Sequence, residues 1–201
     1  MIRNMTLTLA AILSMSTTIA LAQSTTRIRG TVVSLDGNTL HVTPNGGGVE
    51  EAIALSPKGT VIALVPAKLS DITAGSFIGT AATTQPDGSL VAKEVHIFPE
   101  SMRGAGEGHR EFDLGPKSTM TNGTVGQEVR STAGNTLTVT YKGGEKSIVV
   151  PPDAPVVMFA PGDKAMLVPG AHVQLQARKG DDGTLTAERV TVGKDGLVPP
   201  M

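Results

Sequence analysis

The stretch Asp87-Gly88-Ser89-Leu90-Val91-Ala92-Lys93-Glu94-Val95 occurs twice in this chain of 201 residues, with small changes. The second copy is Asp182-Gly183-Thr184-Leu185-Thr186-Ala187-Glu188-Arg189-Val190, ninety-five positions later. Each copy opens with an Asp-Gly turn signal and continues into a run with apolar positions, which is typical of a turn followed by a β-strand. The sequence therefore predicts a β-rich unit that is present in two copies.

The similarity extends on both sides of this stretch. Gly30-Thr31-Val32 recurs as Gly123-Thr124-Val125, and Gly37-Asn38-Thr39-Leu40 recurs as Gly134-Asn135-Thr136-Leu137. Without gaps, residues 57–97 and 152–192 are identical at 10 of 41 positions. The matches fall on turn residues and apolar strand positions, so they indicate a duplicated fold.

Short strands separated by turns fill each repeat. Runs rich in Val, Ile and Thr alternate with Gly, Asp, Asn and Pro clusters, which predicts five or six strands per repeat. In the first repeat the predicted strands are Ile28–Leu35, Thr39–Thr43, Glu50–Leu55, Val61–Leu64, Phe77–Thr83 and Leu90–Phe98. A spacing of about ten residues favours an all-β fold of two tandem small barrels, OB-like or SH3-like, joined by a structured connector. A single composite sandwich is the alternative.

The last strand of each repeat changes its alternation part-way. Leu90 and Ala92 share one parity, whereas Val95 and Ile97 share the other. If all four side chains are buried, a β-bulge must lie near Lys93-Glu94, and by the same pattern near Glu188-Arg189. His96 is then expected to face outward, where Thr191 stands in the second repeat.

The chain divides into five predicted segments. Residues 1–22 have the features of a Sec-type signal peptide, with Arg3 before an apolar run and an Ala20-Leu21-Ala22 cleavage site. We expect cleavage after Ala22, a periplasmic or secreted protein, and no transmembrane span in the mature chain. The remaining predicted segments are a first barrel at 23–98, a connector at 99–121, a second barrel at 122–192 and a flexible tail at 193–201.

Composition excludes several classes of function. Seventeen basic and eighteen acidic residues give a net charge of −1, so the chain has no excess charge with which to neutralise nucleic-acid phosphates. It has no Cys and no Trp, four Phe and one Tyr. Disulfides, thiolate metal sites and Cys nucleophiles are therefore excluded, and aromatic platforms for stacking bases are scarce.

Metal binding is one interpretation of the connector. Imidazole and carboxylate groups suit Zn, Ni or Cu(II), and thioethers favour Cu(I). The candidate ligands in and beside the connector are His96, Met102, Glu107, His109, Asp113 and Met120. No paired-histidine spacing of a known metal motif accompanies them. Such a metal would be a transition metal, and no organic cofactor is predicted.

Two other interpretations of the connector remain open. Gly104, Gly106 and Gly108 lie between Arg103 and Arg110, an arrangement that could bind an anion through backbone N–H groups and guanidinium groups. Alternatively the segment is structural or docks an envelope protein partner. In that case the arginines pair with carboxylates, and Met102, Phe112 and Leu114 pack on a barrel. A docking role predicts an exposed apolar patch around Phe98, Phe112 and Met120.

Catalytic motifs are missing from the sequence. Neither a G-x-S-x-G nucleophile elbow nor an S-x-x-K motif occurs. We therefore expect a protein that is not an enzyme. An enzyme would instead have a concave pocket with titratable groups whose pKa values are perturbed.

The repeat pattern resembles a family of bacterial exported β-barrel repeats that is classified only as a domain of unknown function. The stretch His96–Arg110 and the stretch Ser118–Gly123 are similar to those of a smaller proteobacterial subgroup. Some members are labelled metal ABC transporter permeases, a label that a chain without several spanning helices does not support. The resemblance implies fold and export and lends no catalytic residue. We expect a noncatalytic binding or assembly module of the bacterial envelope; the alternative is a periplasmic metal-binding accessory protein.

Overall fold

A computed structural model describes residues 25–131 and 134–200, and β-strands are the predominant secondary structure of this part of the chain. Its strands are β1 (Thr25–Asp36), β2 (Thr39–Pro44), β3 (Glu51–Pro66), β4 (Phe77–Thr84), β5 (Leu90–Ile97), β6 (Gly108–Glu111), β7 (Ser118–Ser131), β8 (Gly134–Tyr141), β9 (Gly144–Val150), β10 (Val156–Pro161), β11 (His172–Lys179) and β12 (Leu185–Gly193). Short 3-10 turns lie at Leu69–Asp71, Glu100–Met102, Lys164–Met166 and Lys194–Gly196. The all-β prediction is confirmed. The predicted signal peptide lies outside the described residues.

The strands close into two five-stranded rings. The first barrel runs β1, β2, β3, β12, β11 and back to β1, and the parallel pair β3–β12 closes it. The second barrel runs β4, β7, β8, β9, β5 and back to β4, and the parallel pair β5–β9 closes it. All other neighbouring strands within the two rings are antiparallel.

Each barrel contains strands from both repeats, which differs from the expected division into one barrel at 23–98 and another at 122–192. The first barrel takes β1–β3 from the first repeat and β11–β12 from the second. The second barrel takes β7–β9 from the second repeat and β4–β5 from the first. The chain crosses from one barrel to the other after the third strand of each repeat, and this exchange ties the two barrels together.

The two repeats meet at an antiparallel pair between β3 and β10. Leu64 lies opposite Phe159, and Ile62 lies opposite Pro161. Leu64 and Phe159 are ninety-five positions apart, the same offset as the repeats, so each is the counterpart of the other. A pseudo-twofold axis therefore passes through this residue pair.

Two separate apolar cores fill the barrels. Leu40, Ile53 and Val190 belong to the core of the first barrel, and Ile78, Leu137 and Ile148 belong to that of the second. Burial of about ten aliphatic side chains in each barrel supplies the main stabilising free energy, since each contributes roughly 1.5–3 kcal/mol. A third cluster, of Leu64, Val157 and Phe159, lies at the β3–β10 pair.

The repeated Gly-Thr-Val motif has a steric cause. A Cβ atom on Gly30 would lie 2.3 Å from the carbonyl oxygen of Thr43, and one on Gly123 would lie 2.4 Å from that of Thr140. Both distances are well below van der Waals contact. The first two strands of each repeat can approach this closely only because the residue is glycine.

Both predicted bulges are present. In the β4–β5 pair, Ala81 lies opposite Glu94 and Ala82 opposite Ala92, so Lys93 is the extra residue. The β11–β12 pair shifts its register between Ala187 and Val190 in the same way. By contrast, the predicted turn at residues 56–59 is a bulge within the single strand β3, because pairing with β12 resumes at Thr60.

Leu197, in the segment where a flexible tail was expected, packs on the barrels. The turn Lys194–Gly196 follows β12 directly, and Leu197 packs against the cluster of Leu64, Val157 and Phe159. Within the described residues, no helix is both long enough and apolar enough to cross a bilayer.

A candidate ligand cavity between the barrels

A cavity of about 260 Å³ lies between the two barrels. Its walls include residues on the outward-facing sides of β5 and β7 from the second barrel, and of β1, β11 and β12 from the first. These strands are counterparts under the pseudo-twofold axis. The cavity therefore lies where equivalent faces of the two barrels meet.

The second-barrel wall is built around a glycine. His96, Gly79 and Asn122 lie side by side on β5, β4 and β7. A Cβ atom on Gly79 would lie 2.8 Å from the Asn122 Oδ1 atom and 3.0 Å from the Phe98 ring. The missing side chain thus lets the Asn122 amide and the Phe98 ring lie directly over the sheet. The Asn122 Oδ1 atom is buried without a hydrogen-bond partner.

The first-barrel wall carries different chemistry at the equivalent positions. Gln174 replaces Gly79, Thr191 replaces His96, and Arg189 replaces Glu94. Gln174, Thr191 and Arg189 all line the cavity. The second-barrel wall is thus uncharged, whereas the first-barrel wall carries a guanidinium group.

Aromatic rings form the floor. The Phe98 and Phe159 ring centroids are 4.8 Å apart, and the Phe159 and His96 centroids are 5.1 Å apart in an edge-to-face arrangement. Phe77 continues the row, 5.4 Å from Phe98. Aromatic pairs of this geometry add about 0.5–1.5 kcal/mol each beyond simple burial. The floor is therefore a rigid apolar surface.

The connector covers the cavity and joins the barrels. Strand β6 pairs with β7 of the second barrel, and its side chains alternate, so Arg110 and Phe112 line the cavity. Asp113 accepts hydrogen bonds from Arg27 and Arg29 of β1, with 3.0 Å between Asp113 Oδ1 and the Arg29 Nη2 atom. The Arg27 guanidinium also lies over the Phe112 ring, 4.7 Å from its centroid.

The second-barrel wall contains a buried imidazole, that of His96, and a buried acid, Glu94, lies beside it. Glu94 is 1% exposed and His96 is 2% exposed, and 3.8 Å separates Glu94 Oε1 from His96 Nε2. Burial raises the pKa of Glu94 to about 8, an effect that the charge of Arg29 only partly offsets. Burial lowers the pKa of His96 to about 3. Both groups are therefore neutral near pH 7.

Five of the predicted site residues line this cavity. They are His96, Met102, Arg110, Phe112 and Met120. His96 faces away from its barrel core, as expected, but the neighbouring strand β10 and Phe159 bury it.

The other four predicted site residues have different partners. His109 contacts Thr121 Oγ1 through its Nδ1 atom at 2.8 Å, and the Glu107 carboxylate accepts from the Lys142 backbone N–H. Desolvation, followed by the charge of Lys146, lowers the pKa of His109. Asp113 binds the arginines of β1 as described above. Within the described ranges, no three His, Asp or Glu side chains converge as a metal site.

Arg103 and Arg110 do not share a site. Arg103 forms an ion pair with Glu100, at 2.6 Å, and donates to the backbone carbonyl of Gly75. Arg110 donates to the carbonyl of Gly106. The glycine-rich loop thus presents a backbone carbonyl oxygen to the Arg110 guanidinium, and the Arg103 guanidinium is bound to Glu100. The two arginines therefore do not form the predicted anion site at this loop.

The expected exposed apolar patch is also not formed by its three named residues. Met120 is 4% exposed, and Phe98 and Phe112 are only partly exposed because they line the cavity. These side chains face a concave space between barrels, whereas a docking patch would be convex or flat.

Sequence reasoning missed Phe159, Gln174, Arg189 and Glu94 as residues of this region. The available signal was the placement of the rare aromatic residues, because three of the four Phe line the cavity. A second signal was the pair of outward-facing positions at which the repeats differ in charge, Glu94 and Arg189.

Charge in the cavity is one-sided. Arg27, Arg110 and Arg189 line it, and among the described residues no Asp or Glu does. Arg27 is neutralised by Asp113. The other two guanidinium groups remain available to a bound molecule.

Comparison of the chain with protein-family models, with curated proteins and with solved structures gave no match.

Proposed function

We propose that the protein is an exported, noncatalytic binding module of the bacterial envelope and that a small molecule binds in the cavity between its barrels. The observation that carries this proposal is the cavity itself, with its apolar floor, polar wall and covering connector. Concave sites with a few polar groups on an apolar surface are the usual form of ligand sites. Export is supported by the signal-like residues 1–22.

The size of the cavity limits the ligand. Its volume of about 260 Å³ lies just below the ~300–1,000 Å³ range of sites for drug-sized molecules. A ligand of one or two rings, or an acyl chain of similar bulk, fits this space. The connector strand β6 would have to move for a larger molecule.

The position of the perturbed titratable groups supports binding rather than catalysis. Both carboxylate oxygens of Glu94 and the Nε2 atom of His96 are buried without partners. Glu94 does not line the cavity, so its carboxyl group is out of reach of a molecule bound there. A general acid or base needs hydrogen-bond reach to its substrate.

The proposal can be tested with the fluorescent probe 8-anilinonaphthalene-1-sulfonate and the mature chain 23–201. We expect one probe molecule to bind per folded chain. The variant Gln174→Trp places a large side chain in the cavity and should weaken probe binding at least tenfold. Gln127→Trp, the same change at an exposed position outside the cavity, should not.

Folding of both variants is checked by thermal melting, since Gln174 belongs to neither barrel core. Absence of probe binding, or equal binding by both variants, would contradict the cavity as the ligand site.

A metal-binding accessory role is the second candidate, because the cavity brings together His96, Met102 and Met120. A neutral imidazole with two thioethers is a donor set that favours Cu(I). Burial keeps the His96 imidazole neutral, as a metal ligand must be. This set omits His109, Glu107 and Asp113, whose partners lie elsewhere.

The test is a titration of the mature chain with Cu(I) against a chromogenic chelator, under reducing conditions. Met102→Leu and Met120→Leu should each weaken Cu(I) binding at least tenfold if this role holds. Met158→Leu, a partly buried methionine of the second-barrel core, is the matched control. Equal Cu(I) affinity in all three variants would remove the metal candidate.

A further inference from the structure

The two walls of the cavity differ in charge although they are counterparts in the repeat. The second-barrel wall presents His96, Asn122 and Met120, none of which carries a charge near pH 7. The first-barrel wall presents guanidinium and amide groups instead. A molecule that fills the space between them therefore meets an uncharged surface on one side and guanidinium and amide donors on the other.

Two of the guanidinium groups lack a carboxylate partner. Arg189 has no hydrogen-bond or ion-pair partner within residues 25–131 and 134–200, and Arg110 donates only to the Gly106 carbonyl oxygen. Other arginines with described partners, such as Arg27, Arg29, Arg103 and Arg178, are bound to carboxylates. Arg189 and Arg110 thus leave an uncompensated positive charge at the cavity.

Resting on the proposed function, we infer that the ligand is a small organic anion with an apolar body. Its carboxylate, sulfonate or phosphate group would be held by Arg189 and Arg110, through charge-assisted hydrogen bonds. Its apolar part would lie on the Phe98 and Phe159 rings and against Met120. The ligand would span the two barrels, with its charged end on the connector and first barrel and its body on the floor.

Other groups around the cavity do not oppose an anion. Asp113, which follows the lining residue Phe112, is ion-paired with Arg27 and Arg29, and burial keeps the Glu94 carboxyl group beside His96 protonated near pH 7. Asn122 and the two glutamines of β11 are uncharged at every pH that the fold tolerates. No carboxylate of the described residues lines the cavity, so the anion would meet no direct repulsion.

The experiment compares two probes of almost the same shape on the mature chain. One is 8-anilinonaphthalene-1-sulfonate, and the other is N-phenyl-1-naphthylamine, which lacks the sulfonate. We expect the anionic probe to bind about tenfold more tightly than the uncharged one. Arg189→Gln and Arg110→Gln should each remove most of this difference in affinity between the two probes.

Arg178→Gln is the matched control, because Arg178 is an exposed arginine on β11 that does not line the cavity. Equal affinity for the two probes, or an effect of Arg178→Gln as large as that of Arg189→Gln, would overturn the anion assignment while the cavity remained a binding site. Failure of both probes to bind would overturn the proposed function itself. The added salt is held constant, since exposed charges are screened.

Discussion

Leu64 and Phe159 lie opposite each other in the antiparallel β3–β10 pair, and they occupy equivalent positions in the first and second repeats. This single contact marks the pseudo-twofold axis of the molecule. On either side of it, each repeat passes from one barrel into the other. The stability of both barrels therefore depends on both repeats, and this relationship gives the first prediction.

Neither half of the chain should fold alone. A fragment of residues 23–104 lacks β11 and β12, which complete the first barrel, and a fragment of residues 105–201 lacks β4 and β5, which complete the second. We expect each fragment alone to show no cooperative thermal transition, and the co-expressed fragments to purify together as a one-to-one complex. Circular dichroism and size-exclusion chromatography measure these outcomes. A cooperative, monomeric fragment 23–104 would contradict the exchange of strands.

Gly123→Ala should destabilise the protein by about 2–3 kcal/mol, because its Cβ atom would clash with a backbone oxygen that cannot move away easily. Gly126→Ala on the same strand is the matched control, since its Cβ atom would come no closer than 3.6 Å to its neighbours. That change should cost less than about 0.5 kcal/mol or add stability. Urea unfolding measures both, and equal losses would contradict the close approach of β7 and β8.

Stability should depend on pH through Glu94 and His96. The pKa of Glu94 is raised to about 8 in the folded protein, so the folded state binds a proton that the unfolded state releases above about pH 4.5. This group alone makes stability fall as pH rises from 4.5 to 8, by at most about 1.4 kcal/mol per unit. The pKa of His96 is lowered to about 3, so this group makes stability rise between pH 3 and 6.5.

The two effects oppose each other between pH 4.5 and 6.5, where we expect a plateau of maximum stability. Glu94→Gln should remove the loss above pH 6.5 and keep the rise below it. Urea unfolding of both proteins at pH 3.5, 5.5 and 8 checks this. Wild-type stability that is the same at pH 8 as at pH 5.5 would show that Glu94 does not hold its proton.

Asp113→Ala should loosen the connector with little effect on global stability. Asp113 is about half exposed, so its ion pairs with Arg27 and Arg29 are worth at most about 1 kcal/mol. Their loss should speed amide hydrogen exchange in β6 and leave exchange in the barrel cores unchanged. Glu100→Ala, which removes the ion pair to Arg103 beyond the cavity, is the control. Equal exchange of β6 in all proteins would show that Asp113 does not fasten it.

Local features of the fold could be predicted from the sequence because they depend on neighbouring residues. The parity change at Lys93-Glu94 predicted the bulge that the β4–β5 pair contains. Strand exchange could not be predicted in this way. Because the repeats are alike, a strand such as β5 carries the same apolar pattern whichever barrel it completes.

The cavity escaped prediction for a related reason. Alternation along β5 places His96 outside its own barrel, which suggests exposure to solvent when one barrel is considered alone. The second repeat supplies Phe159 on β10, and that ring buries the imidazole. The alternation along β5 thus predicted that the His96 side chain points away from its barrel core. Its burial could not be predicted in this way, because it depends on Phe159, more than sixty positions away in the chain.

The counterpart relationship of Glu94 and Arg189 has a consequence for the history of the chain. A protein with one repeat could form the same double barrel only as two identical copies, and its cavity walls would then have been identical. Joining two copies in one gene freed each wall to change independently. Thr191 and Arg189 now line the first-barrel wall, at the positions that His96 and Glu94 occupy in the first repeat. Two linked repeats can therefore carry different charges on the two walls of one cavity, whereas two identical copies cannot.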